Sequence, residues 1–574
     1  MPMKQRCNAI LLHLSSLPSP FGIGVMGEEA LDFAKRLAEA GVSYWQILPL
    51  TYPLEDSPYQ SLSAFAGNPA FIDPRDLVDR GLLLASELEQ FKANAKSDYQ
   101  VDFAFVHENA KRYLKTAFLR LGPTQQQALE AFLEEQPWLD DFALYIIAKE
   151  KNDLKAPYDW SDAALRHRDP EALAQLRAEN AKDYWYHIFV QWLFFEQWRT
   201  LKNKINEMGV GIFGDIPFYV ATDSVETWVN PDLFAVDQDL RPTWLAGVPP
   251  DYFAVDGQLW GNAIYNWSAM QQEQYAWWID RIAASLELYD LLRIDHFRGF
   301  SSYWAVPAGE KTARGGHWEQ GPGMDLFRAL AASPKIKTSG HDLPIVAEDL
   351  GDIDDDVRLF LQESGFPGMK VLQFAFDETY RGKGLPHSWT EHCCAYTGTH
   401  DNNTLFAWLY EASEETRAFA LAYAGLPAEV DWREGGAKSP ACRAIIKSLL
   451  ASVAKMTVVP MQDLLGYGAD TRMNCPGISE GQWRFRLGPG ALEQADFAWL
   501  TEQNRLYQRA TDYRLVYIED EALDAERKRL GLVLLTETEL TETMGEAPLT
   551  VESAVPVATL SEALLERLER EDEE

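Results

Sequence analysis

The sequence predicts a (β/α)8 barrel with helical and loop insertions. Eight near-continuous apolar runs of strand length occur along the chain, and the later ones alternate with helix-like segments such as VRLFLQESG. Buried strands separated by helices are typical of a parallel sheet, and eight of them are typical of a closed barrel. The runs are AILLHL (9–14), YWQILPL (44–50), VGIFGDIPFYV (210–220), LLRIDHF (291–297), PIVAEDLG (344–351), MKVLQFAFD (369–377), CCAYTGTHDNN (393–403) and TVVPMQDLLG (457–466).

The chain has 574 residues, a length compatible with one large barrel carrying insertions or with several ordinary domains. We assign residues 1–510 to the barrel. Within them, residues 75–208 show helical periodicity and predict a mainly helical insertion. Residues 50–74 and 225–267 are long, irregular and rich in aromatic side chains. Long loops of this kind at strand ends are usually functional, so we expect both to border an active site.

Residues 511–574 differ in composition from the rest of the chain. They carry 18 acidic and 6 basic side chains, a local charge of −12, and the stretch 531–560 contains few aromatic residues. This composition favours a solvated, partly disordered extension over a docking segment, with one short helix at 561–571. Its role does not follow from the sequence.

Charge and cysteine content exclude several classes of protein. A formal net charge of −35 disfavours binding to nucleic acid or to an anionic membrane. Five cysteines without a C-x-x-C pair favour reduced thiols over a disulfide framework or a zinc site. No run of eighteen apolar residues occurs, and the N-terminus lacks a signal-peptide pattern. These features predict a cytoplasmic protein.

Two motifs resemble known ligand sites but lack a required feature. Gly22, Gly24 and Gly27 match G-x-G-x-x-G, yet seven residues separate them from the preceding strand, and the next strand lacks the acidic residue that binds a ribose. The segment DIDDDVRLFLQE (352–363) has calcium-loop spacing, but Val357 stands where the sharp turn needs glycine. We therefore predict neither a dinucleotide site nor a calcium site.

Polar side chains, most of them carboxylates, follow the apolar runs at the ends that a barrel gathers on one face. Like charges brought this close are costly unless they share a cation, a proton or a function. Clustered carboxylates serve metal-dependent chemistry or glycoside chemistry. The histidines near these positions form no H-x-H or H-E-x-x-H pattern, which favours glycoside chemistry over a metal site. The polar residues concerned are Asp215, Asp295, Glu348, Asp377, Asp401 and Gln462.

Asp295 and Glu348 fit the two carboxylate roles of a retaining glycosidase. Arg293 precedes Asp295 by two residues, on the same side of an extended strand, so its cation keeps Asp295 ionised as a nucleophile. Glu348 follows the apolar run PIVA, where burial raises its pKa and suits it to donate a proton. In this interpretation, His400 and Asp401 form hydrogen bonds with the hydroxyls of the sugar ring.

Seven motifs in order, followed by GQWRFRL (481–487), resemble the amylomaltase type of 4-α-glucanotransferase, glycoside hydrolase family 77. The resemblance runs from about residue 8 to about residue 500. The motifs are SSLPSPFGIG (15–24), SPYQSLSAFAGNPAFID (57–73), FGDIPFYV (213–220), GVPPDYF (247–253), LLRIDHFRGF (291–300), AEDLG (347–351) and GTHDNN (398–403).

The resemblance implies a role for each candidate residue. Asp295 would be the catalytic nucleophile, Glu348 the general acid/base and Asp401 the stabiliser of the transition state. The family has a (β/α)8 barrel without a C-terminal β-sandwich and needs no cofactor or metal. The residues implied to bind substrate are Arg293, His400 and Asp215 at the cleaved bond, Tyr59, Asp251 and Trp260 in the two long loops, and Asp377 further along the glucan.

The implied reaction transfers a segment of a maltodextrin to the 4-hydroxyl of another glucan or of glucose. A retaining α-glucan hydrolase would use the same carboxylates, and a non-catalytic glucan-binding protein would need no proton donor. The catalytic motifs leave transfer and hydrolysis open, since the two differ only in which hydroxyl attacks. Donor length, cyclic products, regulation and assembly state do not follow from the sequence.

Overall fold

Eight parallel strands close into a barrel in the computed structural model of the chain. Each strand pairs with the next barrel strand along the chain, and the last pairs with the first. The predicted (β/α)8 barrel is therefore confirmed. The barrel strands are β1 (Cys7–Leu11), β2 (Tyr44–Gln46), β3 (Gly211–Ile216), β7 (Leu291–Ile294), β10 (Ile345–Ala347), β11 (Gly368–Val371), β12 (Cys393–Tyr396) and β13 (Met456–Pro460).

The structure describes most of the chain, with gaps. The described ranges are 6–92, 97–250, 255–337, 343–351, 353–377, 384–478, 480–510, 532–535 and 553–556. Of the predicted site residues, Asp251 lies outside them, as does the predicted helix at 561–571. No helix in these ranges combines the length and apolar character that a membrane span requires. All five cysteines are free.

The helices fill the segments between the barrel strands and much of the region 74–207. The first fourteen are α1 (Glu28–Glu39), α2 (Pro74–Asp79), α3 (Ala85–Phe91), α4 (Phe103–Phe118), α5 (Pro123–Glu135), α6 (Trp138–Lys151), α7 (Ala163–Arg166), α8 (Pro170–Glu179), α9 (Ala181–Glu207), α10 (Val225–Val229), α11 (Trp267–Gln272), α12 (Ala276–Leu288), α13 (Met324–Ala332) and α14 (Asp355–Ser364). The others are α15 (Leu372–Phe376), α16 (Leu405–Glu411), α17 (Glu414–Tyr423), α18 (Pro440–Ala451), α19 (Met461–Leu464), α20 (Ala491–Gln494) and α21 (Phe497–Leu506).

Two local predictions were wrong. The run 369–377 is a strand only as far as Val371, because Leu372–Phe376 turns into α15. The segment 225–267, predicted as a loop, contains α10 and two strands of a second sheet. The second sheet is antiparallel and consists of β4 (Val220–Ala221), β5 (Trp244–Val248), β6 (Gln258–Ala263), β8 (Ser302–Pro307) and β9 (His317–Gln320).

The second sheet was missed because its strands lack a clear local pattern. β6 is half-buried over most of its length, and its pairing with β5 contains a register shift between Leu245 and Gly247. β5 is also paired along its other edge with β8, which lies about sixty residues further along the chain. Such pairing depends on tertiary contacts, so periodicity within one segment could not reveal it.

Residues Ala510–Glu574 form a compact unit of their own, separate from Met1–Arg509. In that unit, β14 (Leu532–Leu535) pairs antiparallel with β15 (Ser553–Pro556). Neither strand was predicted from the sequence. Both strands contain several apolar residues. More than fifteen residues separate them, so the sequence carries no hairpin signal at this place.

Arg509 is buried at the end of the barrel where the strands begin. Its guanidinium is fully enclosed, and burial together with the nearby Arg6 lowers its pKa to about 9. It donates hydrogen bonds to the carbonyl groups of Cys7, Leu450, Ser452, Ala454 and Lys455. One side chain thus ties the start of β1 to the residues that precede β13.

We expect Arg509→Leu to lower the free energy of unfolding by about 3 kcal/mol, because these buried carbonyl groups lose their donor. With an unfolding entropy of about 2 cal/mol/K per residue, the loss corresponds to a Tm about 3 °C lower for the unit Met1–Arg509. Differential scanning calorimetry measures the shift, with Arg505→Leu as the control because Arg505 is exposed. Equal shifts in the two variants would contradict the structural role assigned to Arg509.

Candidate active site

The polar residues predicted at the strand ends lie at one end of the barrel. Asp215 is in β3, Arg293 is in β7, and Asp295 directly follows β7. Glu348 directly follows β10, and Asp401 lies in the loop after β12. Because all eight strands are parallel, their carboxyl ends share one face of the barrel.

A buried arginine links two of the carboxylates. Arg293 is 3% exposed and donates from Nη1 to Asp215 Oδ2 at 2.6 Å and from Nη2 to Asp295 Oδ1 at 2.7 Å. The pairing of β3 with β7 places Asp215 opposite Arg293, which explains the first contact. The second contact is the ion pair that the sequence spacing predicted. One guanidinium therefore balances two negative charges that would otherwise be costly to bury.

The carboxyl groups of Asp295 and Glu348, which follow β7 and β10, have different pKa values. Burial raises the pKa of Asp295 to about 6, with Arg293 opposing the rise and Asp215 and Asp401 adding to it. Burial and the charge of Asp295 raise the pKa of Glu348 to about 8. Near neutral pH, Asp295 is therefore mainly ionised while Glu348 mainly holds its proton. Such a difference between neighbouring carboxyls is what acid/base catalysis with two carboxylates requires.

The Glu348 carboxyl group is held by two backbone donors. Leu350 N–H donates to Oε1 at 2.6 Å, and His296 N–H donates to Oε2 at 2.8 Å. His296 reaches it from a left-handed conformation, with φ 47° and ψ 47°. That conformation costs an L-residue about 1–2 kcal/mol, so surrounding contacts must compensate for it.

Asp401 is positioned by two residues far along the chain. Asn474 donates from Nδ2 to Asp401 Oδ1 at 2.6 Å, and Arg472 donates from Nη2 to the Asp401 carbonyl at 2.6 Å. His400 Nε2 lies 3.3 Å from the same Oδ1. The Asp401 side chain is 40% exposed, which leaves it open to a bound molecule.

Asp463 anchors both ends of the loop that carries His400 and Asp401. Its Oδ2 accepts a hydrogen bond from Thr397 Oγ1, and its Oδ1 accepts one from Leu405 N–H, each at 2.6 Å. Burial raises the pKa of Asp463 to about 7. The Asp463 carboxyl can keep its hydrogen bond to Thr397 whether or not it carries a proton, because a threonine hydroxyl can either donate or accept a hydrogen bond.

The long loop 50–74 reaches the same face through Tyr59. The Tyr59 hydroxyl donates to Asp215 Oδ2 at 2.6 Å, and its ring stacks on His400 with centroids 5.2 Å apart. The remaining oxygen of the buried Asp215 has no hydrogen-bond partner among the described residues.

The other predicted residues are less closely joined to the carboxylates. Trp260, in β6, packs against the His296 ring with centroids 4.9 Å apart. Asp377 is half-buried and follows α15. Gln462 lies in α19, directly after β13, and its side chain donates a hydrogen bond to the Thr471 carbonyl at 3.2 Å. Asp251 lies outside the described residues.

A small cavity lies beside His400 and is also lined by His13, Thr399, Gln462 and Asp463. His13 follows β1, and burial lowers its pKa to about 3, so it is neutral. Within the described ranges, no group of three or more His, Cys, Asp or Glu side chains is arranged to hold a metal ion.

Sequence reasoning did not assign a role to His13, Asp463, Arg472 or Asn474. His13 and Asp463 lie shortly after the barrel strands β1 and β13, so their position after a strand was a usable signal. Arg472 and Asn474 lie in an irregular segment that carries no strand or helix pattern. Only the folded chain brings these two residues to Asp401.

Comparison with known proteins agrees with this geometry. A family model described as 4-alpha-glucanotransferase matches residues 12–491. The 4-alpha-glucanotransferase of Thermus thermophilus is 41% identical over 495 residues, which cover 85% of this chain and 96% of the relative. That of Streptococcus pneumoniae (strain TIGR4) is 41% identical over 516 residues, covering 89% and 99%.

A solved structure is similar over the same region. The amylomaltase from Streptococcus agalactiae in complex with acarbose matches with a TM-score of 0.83 and 38% sequence identity, covering 88% of this chain and all of that one. The chain therefore belongs to glycoside hydrolase family 77, the 4-alpha-glucanotransferases.

Proposed function

We propose that this 4-alpha-glucanotransferase moves α-1,4-glucan segments by a retaining double displacement, with Asp295 as nucleophile and Glu348 as general acid/base. The observation that carries the proposal is geometric: Asp295, ion-paired with Arg293, and Glu348, which accepts hydrogen bonds from the N–H groups of His296 and Leu350, follow two adjacent barrel strands. Maltodextrins are the donors, and maltodextrins or glucose are the acceptors. We assign catalysis to residues 1–510 and leave the role of 511–574 open.

In the first step, Asp295 attacks the anomeric carbon of the donor. The bond from that carbon to the glycosidic oxygen breaks, and the Glu348 proton passes to the departing oxygen. Arg293 holds Asp295 Oδ1, so Oδ2 is the oxygen that forms the glucosyl ester. The shorter glucan then leaves with a new 4-hydroxyl group.

In the second step, the 4-hydroxyl of an acceptor attacks the same carbon from the side that the first glucan left. Its proton passes to Glu348, and the ester bond to Asp295 breaks. Two inversions at one carbon return the α configuration. Glu348 is suited to both steps because its raised pKa lets it bind and release a proton near neutral pH.

Asp401 is proposed to stabilise the transition state. Asn474 and Arg472 fix its orientation, while its partly exposed carboxylate faces bound sugar. Hydrogen bonds from ring hydroxyls to a fixed carboxylate strengthen as positive charge develops on the ring. Asp215, Tyr59, Arg293 and His400 would bind the same sugar, because Tyr59 contacts both Asp215 and His400.

The further binding residues line the approach for the rest of the glucan. Trp260 presents an aromatic ring beside His296, and rings of this kind pack on the apolar faces of sugars. Asp251 and Asp377 are proposed to contact hydroxyls of sugars further along the chain. The two aromatic-rich segments, 50–74 and 225–267, would also keep water from the glucosyl ester and so favour transfer over hydrolysis.

We expect Asp295→Ala to abolish transfer and Glu348→Gln to lower kcat about 10²–10⁴-fold on maltotriose. With α-maltosyl fluoride as donor, fluoride leaves without needing a proton, so Glu348→Gln should recover fluoride release and Asp295→Ala should not. An ion-selective electrode measures the release. Asp356→Asn is the control, because Asp356 is an exposed carboxylate on α14. Turnover of maltotriose near that of the control in either catalytic variant would contradict the assignment.

Maltotriose incubated with the enzyme should give glucose and a ladder of longer maltodextrins while total reducing ends stay nearly constant. The reason is that each glucosyl ester is captured by a sugar hydroxyl and no net bond is hydrolysed. Chromatography with a reducing-end assay measures both quantities. A steady rise in reducing ends would instead identify an α-glucan hydrolase.

The dependence of kcat/KM on pH should be bell-shaped. Activity should fall below about pH 6, as Asp295 takes up a proton, and above about pH 8, as Glu348 loses its proton. Initial rates at subsaturating maltotriose between pH 4.5 and about 9.5 measure both limbs. A profile with no decline on the basic side would be inconsistent with Glu348 as the general acid.

A further inference from the structure

The residue after the proposed nucleophile connects Asp295 to Glu348 through the backbone. The ladder between β7 and β10 ends with the pairing of Ile294 and Ala347. Beyond it, three hydrogen bonds continue the connection. Glu348 N–H donates to the Ile294 carbonyl at 3.1 Å, Phe297 N–H donates to the Glu348 carbonyl at 3.1 Å, and His296 N–H donates to Glu348 Oε2 at 2.8 Å.

The left-handed conformation of His296 turns the chain sharply between Asp295 and Phe297. Two successive N–H groups, those of His296 and Phe297, then donate to the side chain and to the main chain of one residue, Glu348. An extended residue at this position would send successive N–H groups in opposite directions, as in a strand. Strained backbone that directs a donor at a reacting group is a reason to infer a role in function.

Several contacts hold this turn in place. Asp295 N–H donates to the Ile216 carbonyl at 3.0 Å, and Gly299 N–H donates to the His296 carbonyl at 2.9 Å. The His296 ring packs edge-on against Trp260 at 4.9 Å between centroids and lies near Phe218 at 6.0 Å. Packing of a ring among aromatic side chains compensates for strain in the backbone.

We propose that His296 is a positioning residue whose left-handed backbone, through its N–H, fixes the Glu348 carboxyl group beside the nucleophile. The proposal rests on the proposed function, because it assumes that Glu348 exchanges protons with the glycosidic oxygen. The contribution of His296 comes from the turn and not from the charge of its ring. Burial lowers the pKa of the ring to about 3, so the imidazole is neutral throughout the working range.

The hydrogen bond also has a direct electrostatic consequence. An N–H that donates to a carboxylate favours the ionised form, so its loss raises the pKa of Glu348. The charged groups that face Glu348 are Asp295 and Arg293, and they oppose each other. Asp349, next in the chain, turns its carboxyl towards Met369 N–H instead. Removal of the His296 donor should therefore move the basic limb of the pH profile upwards.

The decisive experiment replaces the amide between Asp295 and His296 by an ester in the full-length chain. Nonsense suppression with the 2-hydroxy analogue of histidine removes the N–H and keeps the side chain. We expect kcat on maltotriose to fall about 10-fold with little change in KM, and the basic limb to rise by about one pH unit. The control is the corresponding ester at Ser301, whose N–H donates to the Arg298 carbonyl and not to Glu348.

An ester at 296 that leaves kcat and the pH profile unchanged would overturn the proposal. Equal losses from the esters at 296 and 301 would also overturn it, since they would reflect general weakening of this segment. Failure of the proposed function would look different. It would appear as activity in Asp295→Ala or Glu348→Gln, whatever the ester does.

A pair of side-chain variants separates the turn from the imidazole ring. Glycine and asparagine both adopt left-handed conformations readily, so His296→Gly and His296→Asn keep the backbone donor. We expect both variants to leave the basic limb of the pH profile in place, because the N–H that donates to Glu348 is kept. A rise of the basic limb as large as that caused by the ester at 296 would assign the role to the ring and overturn the proposal.

Discussion

The catalytic face depends on one buried cation, the guanidinium of Arg293. Asp215, which is buried, and Asp295, whose side chain is 30% exposed, lie on either side of it at 2.6 and 2.7 Å. Without a cation, two ionised carboxylates could not be buried so close together, because desolvation and mutual repulsion would drive protons onto them. The arginine therefore favours an ionised Asp295 at this end of the barrel, as the proposed role of Asp295 as nucleophile requires.

Glu348 differs from Asp295 in its partners more than in its burial. Both carboxyls are partly exposed and both feel the charge of Arg293, but Asp295 forms a direct ion pair with it, whereas Glu348 accepts hydrogen bonds from neutral N–H groups and is repelled by Asp295. The charge on one group thus helps to keep the proton on the other. This coupling suits the proposed two-step reaction. In the first step Asp295 attacks while Glu348 donates a proton, and in the second step the bond to Asp295 breaks while Glu348 accepts a proton.

The parts of the site outside the strands are held by residues distant in sequence. Asp463 fixes both ends of the loop after β12, and Asn474 fixes the carboxylate of Asp401 within it. The second sheet brings Trp260 to the turn at His296, and the loop 50–74 brings Tyr59 to Asp215 and His400. The barrel thus carries the proposed reacting groups, and the insertions surround them with the side chains proposed to bind sugar.

The sequence by itself determined the eight barrel strands, the residues at their carboxyl ends and the ion pair between Arg293 and Asp295. These follow from local patterns, since an apolar run predicts a buried strand and a two-residue spacing puts side chains on one side of it. The tertiary structure alone decided the second sheet, the left-handed turn at His296 and the contacts of Asp463, Arg472 and Asn474. Each of these depends on groups far apart in the chain, whose meeting no local periodicity records, because the hydrogen bonds and packing that stabilise them exist only once the barrel has closed.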